Sequence, residues 1–85
     1  MTIILDRSLI EEAARLTAIP LEYRLGHREV TLHGDVATVG LFLDALAELA
    51  PQFGFTDEQV EYLGRHFDAL RGITGPLTLY YWQYS

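Results

Sequence analysis

Apolar and polar side chains alternate along residues 21–33, and Gly26 and His27 interrupt the alternation once. Alternation of this kind is typical of strands with one buried face, and a glycine between two such runs supplies the positive φ of a tight turn. The stretch therefore predicts a β-hairpin. A two-residue loop would pair Leu25 with Arg28, Arg24 with Glu29, Tyr23 with Val30, Glu22 with Thr31 and Leu21 with Leu32. Since a slip of one residue would mix apolar with charged positions, we expect this register and a sheet that is apolar on one side only.

A first strand and a helix are predicted before the hairpin. The apolar run Thr2 to Leu5 has β-branched character, and Ser8 with Glu11 has the spacing of a capping box. Pro20 disfavours helical angles at the residue before it, so this helix should end near Ala18. Its inward side is expected to carry Leu9, Ala13 and Leu16.

The segment from Val36 to Ala50 predicts the central core helix, with Asp35 as its cap and Pro51 as its end. Gly40 in its interior indicates a close approach of backbones. The buried stripe is expected to contain Val36, Val39, Leu43, Leu46 and Ala50, widened by Phe42 and Leu49. A strip through Leu41, Asp44 and Glu48 should face water, and its two acids argue against a membrane span.

A third helix has the best-marked start. Thr56 and Gln59 form a capping box, and Phe55 and Val60 have the spacing of a hydrophobic staple. Gly72 is a natural C-terminal cap. The expected buried stripe is Val60, Leu63, Phe67 and Leu70, and the expected outer side is Glu58, Glu61, Arg65 and Asp68. A final strand is predicted from Leu77 to Tyr84.

These elements predict one small α+β domain over residues 1–85, in the order β-α-β-β-α-α-β. The expected architecture is an antiparallel sheet with helices packed mainly on one face. With one helix set aside, the order resembles the split βαβ order of ferredoxin-like folds, which would place the last strand beside the first. An order of elements carries no function.

The charge of the chain excludes one class of partner and favours another. Twelve acidic and six basic residues give a formal net charge of −6. Residues 44–68 hold six of the acids against Arg65 alone. Because such a surface repels phosphate backbones and attracts basic surfaces, we expect no direct binding to nucleic acid and a partner protein with a basic surface.

The sequence contains no recognisable reaction chemistry. There is no cysteine, so disulfides and thiolate zinc sites are excluded, and no phosphate-binding glycine motif occurs. We therefore expect that the protein is not an enzyme and binds no metal or cofactor.

The amino terminus lacks a basic region followed by a long apolar run, so a cytoplasmic protein is the expectation. His33 and Asp35 could be drawn as a base with its orienting carboxylate, although a strand end and a helix cap account for them locally.

Two surfaces are candidates for binding a partner. The first is the acidic outer side of the helices: Asp44, Glu48, Glu58, Glu61 and Asp68. The second is the last strand, in which alternation assigns Leu77, Leu79 and Tyr81 to the core and Tyr80, Trp82 and Tyr84 to the opposite side of the sheet. Rings there would either form an interface or be covered by the first helix or by one another.

In size and charge the chain resembles phage-encoded inhibitors such as anti-CRISPR proteins, and immunity proteins of nuclease toxins. The leading hypothesis is a non-catalytic inhibitor that docks its acidic side on a basic, nucleic-acid-binding surface of a larger protein. A second is a self-associating module that uses the last strand as an edge and its rings as a homodimer interface. A third is a small enzyme or ligand-binding domain at His33 and Asp35. An RNA-recognition module is disfavoured, because the basic-aromatic motif is absent and the charge has the wrong sign.

Overall fold

The chain forms four strands and three helices in the predicted order. The computed structural model describes residues 4–24, 26–72 and 76–82. The elements are β1 (Ile4–Asp6), α1 (Arg7–Thr17), β2 (Leu21–Arg24), β3 (Glu29–Leu32), α2 (Val36–Leu49), a 3₁₀ turn (Ala50–Phe53), α3 (Asp57–Leu70) and β4 (Leu77–Trp82). This confirms the α+β single-domain prediction. The radius of gyration of 11.9 Å is that of a compact chain of this length, roughly 12 Å.

The sheet has the order β1-β4-β3-β2. The hairpin register is confirmed from Arg24 opposite Glu29 to Leu21 opposite Leu32, while Leu25 lies outside the described residues. β4 runs antiparallel to β3 and parallel to β1. The sheet is therefore mixed, and the prediction of an antiparallel sheet was wrong for the pair β1 and β4. Alternation reports which face a residue takes but not the direction of a neighbour that is distant in sequence.

The position of β4 corrects a second expectation. The last strand does lie beside the first, as predicted, but it has β1 on one side and β3 on the other. β4 is thus an inner strand of the sheet, with β1 beside Tyr80 to Trp82 and β3 beside Leu77 to Tyr80, and not the edge strand that the self-association hypothesis assumed.

The core lies on one face of the sheet, under α1 and α2. From α2, Phe42, Leu43 and Leu46 are fully buried. The sheet contributes Leu5, Val30, Leu32, Leu77, Leu79 and Tyr81, and α1 contributes Leu9, Ile10, Ala13 and Ala14. Within the described residues no charged or polar side chain is buried. The predicted division of β4 is confirmed, since its core set is buried and Thr78 and Tyr80 are exposed.

Two predicted core residues are on the surface instead. Leu16 is 55 % exposed, because α1 packs against α2 as well as β1 and this rotates its buried side toward Ile10 and Ala14. Val36 is 44 % exposed because it occupies the first position of α2, and burial on that helix begins at Val39.

The helix caps confirm most of the predicted boundaries. The Asp35 carboxylate accepts the Thr38 amide at 2.7 Å. The reciprocal capping box of α3 is formed, with Thr56 and Gln59 bonding at 2.8 and 3.2 Å. Arg71 caps the C-terminal end of α3, and Gly72 follows with a φ of +84°.

The start of α1 differs from the prediction. Asp6, and not Ser8, is the N-cap, because β1 ends in extended geometry at Asp6 and its carboxylate accepts the Ser8 amide at 2.8 Å. Ser8 is thereby already inside the first turn. The predicted capping partner Glu11 instead accepts from Arg7 Nε at 2.7 Å. The predicted end near Ala18 is confirmed, with Ala18 in the left-handed region.

The segment Val36–Phe53 is long and apolar enough by composition to cross a membrane, with a mean hydropathy of 1.3. Its large apolar side chains Phe42, Leu43 and Leu46 are instead buried in the protein core. The opposite side carries Asp44 and Glu48, both exposed. In this fold the segment is the core helix followed by a 3₁₀ turn.

An aromatic cluster closes one end of the core. The rings of Tyr23 and Tyr81 meet edge to face, with centroids 5.6 Å apart. Arg7 Cζ lies 4.3 Å from the centre of the Tyr23 ring and 5.5 Å from that of Tyr81. Burial raises the pKa of the Tyr23 hydroxyl above its ordinary value. Edge-to-face pairs and cation–π contacts both add to the burial of these rings, so Tyr81 is a core residue.

The corrected N-cap of α1 can be tested with two matched substitutions. Asp6→Ala removes the acceptor of the Ser8 amide and should lower the free energy of unfolding by about 1 kcal/mol. Ser8→Ala should change it by less than about 0.5 kcal/mol, because the serine hydroxyl is not the cap. Urea denaturation of both variants measures the difference, and a larger loss for Ser8→Ala would contradict the assignment.

Two adjacent tyrosines on β4 should differ sharply in their effect on stability. Tyr81→Ala empties a packed core position and should cost about 3–5 kcal/mol, the range for large aromatic residues. Tyr80→Ala removes a ring that is 38 % exposed and should cost less than about 1 kcal/mol. Thermal and urea unfolding provide the comparison. Equal losses would show that the two faces of the sheet are buried alike.

Candidate functional site: an acidic helical face beside an aromatic groove

The five acidic residues predicted to bind a partner all lie on the exposed outer side of α2 and α3. They are Asp44, Glu48, Glu58, Glu61 and Asp68, and we call them the acidic face. On α3, its three members fall within an arc of about 80° at 3.6 residues per turn. The buried Leu63 and Phe67 lie on the opposite side of the helix. From Glu58 to Asp68 the acidic face extends about 15 Å along α3.

Arg71 pairs with two acids at one end of the acidic face. Its guanidinium pairs with Asp44 on α2 and, through Nε at 3.2 Å, with Asp68 on α3. The bond to Asp44 is the main cause of a raised pKa at Arg71. Arg71 Nη1 also donates to the Gly40 carbonyl at 3.4 Å. The close neighbour predicted at Gly40 is thus a guanidinium rather than a second backbone, and a Cβ at Gly40 would meet Arg71 Nη1 at 3.6 Å.

The acids without an ion-pair partner in the described residues lie toward the other end. Glu61 pairs with Arg65 at 2.7 Å, one turn further along α3. Within residues 4–24, 26–72 and 76–82, neither Glu48 nor Glu58 makes a side-chain ion pair or hydrogen bond. Glu58 lies in the first turn of α3, where the helix dipole also stabilises a carboxylate.

A groove of about 700 Å³ adjoins this end of the acidic face. It lies between the N-terminal half of α3, the turn before it and the β1–β4 side of the sheet. Four aromatic rings line it, together with two aliphatic side chains, a glycine and two polar residues. The lining residues are Phe53, Phe55, Tyr62, Trp82, Ile4, Leu63, Gly54, Glu58 and Gln59. We call this site the aromatic groove, and none of these described residues is basic.

The aromatic groove was not predicted from the sequence. Phe55 was assigned to a hydrophobic staple, which accounts for its position before α3 but not for its place in a groove. Ile4 and Trp82 reach the groove through strand pairing, in which Asp6 lies opposite Trp82 and Ile4 opposite Tyr80. The one local signal is Tyr62, four residues after Glu58 on the polar side of α3 and 42 % exposed.

The predicted ring set of the last strand is partly described. Tyr80 is exposed and Trp82 is half-buried, both on the face of the sheet that points away from the core, while Tyr84 lies outside the described residues. α1 does not cover Tyr80, because Arg7 at its start lies over the core-side rings of Tyr23 and Tyr81. Tyr80 is therefore available to a partner, whereas Trp82 belongs to the aromatic groove.

The structure does not join His33 and Asp35 into a catalytic pair. His33 Nε2 lies 2.7 Å from a carboxylate oxygen of Glu22 on the neighbouring strand. Asp35 Oδ1 accepts the Thr38 amide, and this bond lowers the pKa of Asp35 below its ordinary value. Each group thus has a separate local partner. In the part of the chain that the structure describes, no group of three or more histidine, aspartate or glutamate side chains is arranged to hold a metal ion.

No protein-family model, curated protein or solved structure matches this chain.

Proposed function

We propose that this protein is a small, non-catalytic interaction module that docks its acidic face on a basic surface of a larger protein. One observation carries the proposal: the predicted acids all lie exposed on two packed helices of a chain with a net charge of −6. Complementary potentials of this kind accelerate encounter and select partners. The largest contributions should come from Glu48 and Glu58, because each of the other three members already has an arginine as ion-pair partner.

The partner class follows from the same charge. Basic protein surfaces of a size to match two helices are typical of nucleic-acid-binding proteins. A protein that covers such a surface with carboxylates competes with phosphate groups for the same arginines and lysines. We therefore propose an inhibitory role in the cytoplasm, of the kind that anti-CRISPR and nuclease-immunity proteins represent.

The arrangement of polar groups favours binding over catalysis. Catalytic groups are usually set at unusual pKa values by burial or by close like charges. Among the described residues no charged side chain is buried. The one base–carboxylate combination suggested by the sequence is separated, since His33 and Asp35 bond to different partners.

Charge reversal tests the docking surface. Glu48→Lys combined with Glu58→Lys should weaken binding to a purified basic nucleic-acid-binding protein at least about tenfold at moderate salt. The control is Glu12→Lys with Glu22→Lys, which changes the net charge equally outside the acidic face. It also removes the exposed contacts with Arg15 and His33, and it should alter affinity less than about threefold. Binding is measured by calorimetry against a panel of such proteins, and by release of their bound nucleic acid in a gel shift.

Salt provides the second readout of that experiment. The affinity of the unmodified protein should fall as salt is raised, because the contact is between exposed charges. Binding that is indifferent to salt, or that both double variants weaken equally, would contradict docking through the acidic face.

Self-association is a second candidate, favoured by two exposed apolar side chains. Ile4 and Tyr80 are paired across β1 and β4 and are 56 % and 38 % exposed. Since β4 is an inner strand, such a dimer would use the open face of the sheet. Sedimentation equilibrium tests it: a dimer that Tyr80→Ser converts to monomer would support this candidate. A monomer at high protein concentration would remove it, and the net charge of −6 favours that result.

A further inference from the structure

We propose that the aromatic groove receives an arginine side chain from the basic partner, held between the rings and the carboxylate of Glu58. This inference rests on the proposed function. It adds a specific site, the aromatic groove, and names arginine as the side chain that the site would bind. The volume of about 700 Å³ is within the range of small-ligand sites, roughly 300–1,000 Å³.

The chemistry of the groove wall selects a planar cation. Phe53, Phe55, Tyr62 and Trp82 present aromatic rings to one space. A guanidinium is planar and weakly hydrated, so it stacks on aromatic faces more readily than an ammonium does. The protein uses the same contact internally, where Arg7 Cζ lies 4.3 Å from the centre of the Tyr23 ring.

The carboxylate of Glu58 supplies the opposite charge at the edge of the groove. It lines the groove and makes no ion pair within the described residues. Glu58 and Tyr62 are four residues apart on α3 and so are neighbours on one side of the helix. An arginine there would contact the ring of Tyr62 and form charge-assisted hydrogen bonds with the Glu58 carboxylate.

Other occupants fit this combination less well. An apolar side chain would use the rings but would desolvate Glu58 without a partner. An anion would be repelled by Glu58 and by the rest of the acidic face. A second copy of this chain would bring a further net charge of −6 to the contact. An arginine satisfies the rings and the carboxylate at once.

Trp82 is the single tryptophan of the chain and lines the groove, so its fluorescence can report binding there. The probes are a short glycine-serine peptide with one central arginine and the same peptide with citrulline, a neutral isostere of arginine. The arginine peptide should change the fluorescence of Trp82 in a saturable way. The citrulline peptide should bind at least about tenfold more weakly, because it keeps the shape and loses the charge.

Matched variants separate the groove from the general field of the acidic face. Glu58→Gln should weaken binding of the arginine peptide about tenfold. Glu48→Gln removes the same charge outside the groove and should weaken it less than about twofold. Tyr62 is also exposed, and Tyr62→Leu should weaken binding of the arginine peptide about fivefold because the ring is lost. Circular dichroism verifies that each variant is folded.

Three results would overturn the inference, and they differ from failure of the proposed function. If the citrulline peptide bound as tightly as the arginine peptide, the groove would not recognise the positive charge of its ligand. Equal losses of arginine-peptide binding for Glu58→Gln and Glu48→Gln would show that the groove carboxylate has no special role, while docking by the acidic face would stand. A dimer that Tyr62→Leu dissociates would make the groove a contact between copies. If basic target proteins fail to bind at all, the proposed function itself is wrong.

Discussion

The insertion of β4 between β1 and β3 is the contact on which the rest of this structure depends. β1 is an edge strand whose partner in the sheet is β4, so the first described strand is held by the last. The same pairing turns Tyr81 toward the core and Trp82 toward α3. Because an edge strand of three residues makes few backbone bonds, its position relies on β4 and on the burial of Leu5. Loss of β4 packing would therefore open the core and dismantle the aromatic groove together.

α2 connects this sheet to the proposed binding surfaces. Its inner side fills the core with Phe42, Leu43 and Leu46, and its outer side carries Asp44. Arg71 joins α3 to that outer side through Asp44 and the Gly40 carbonyl. These bonds are exposed and so contribute modestly to stability, and they link the end of α3 to the outer side of α2. Glu58 at the other end belongs to both the acidic face and the aromatic groove, so the two proposed contacts, one by long-range charge and one by stacking, would meet at this residue.

Much of the acidic face could be predicted from the sequence, whereas the aromatic groove could not. The outer positions of α2 and α3 follow from helical periodicity, because the apolar stripe identifies the buried side and the acids occupy the remainder. The groove joins Ile4, Tyr62 and Trp82, which are far apart in sequence, and no local pattern specifies that they meet. The ion pair between Arg71 and Asp44 also joins residues that are far apart in sequence. The sequence therefore showed a surplus of acids but not which acids have an arginine partner.

The sequence by itself determined the elements whose signals are local. Alternation and a turn glycine set the hairpin register, and side-chain caps set the starts of α2 and α3, since both depend on neighbours within a few residues. Tertiary structure decided the parallel pairing of β1 with β4, the cap at Asp6 in place of Ser8 and the exposure of Leu16. In each case the deciding contact comes from an element outside the local pattern: β1 ends where β4 holds it, and α1 is rotated by α2. The acidic face thus follows from the sequence, and the aromatic groove exists only in the folded chain.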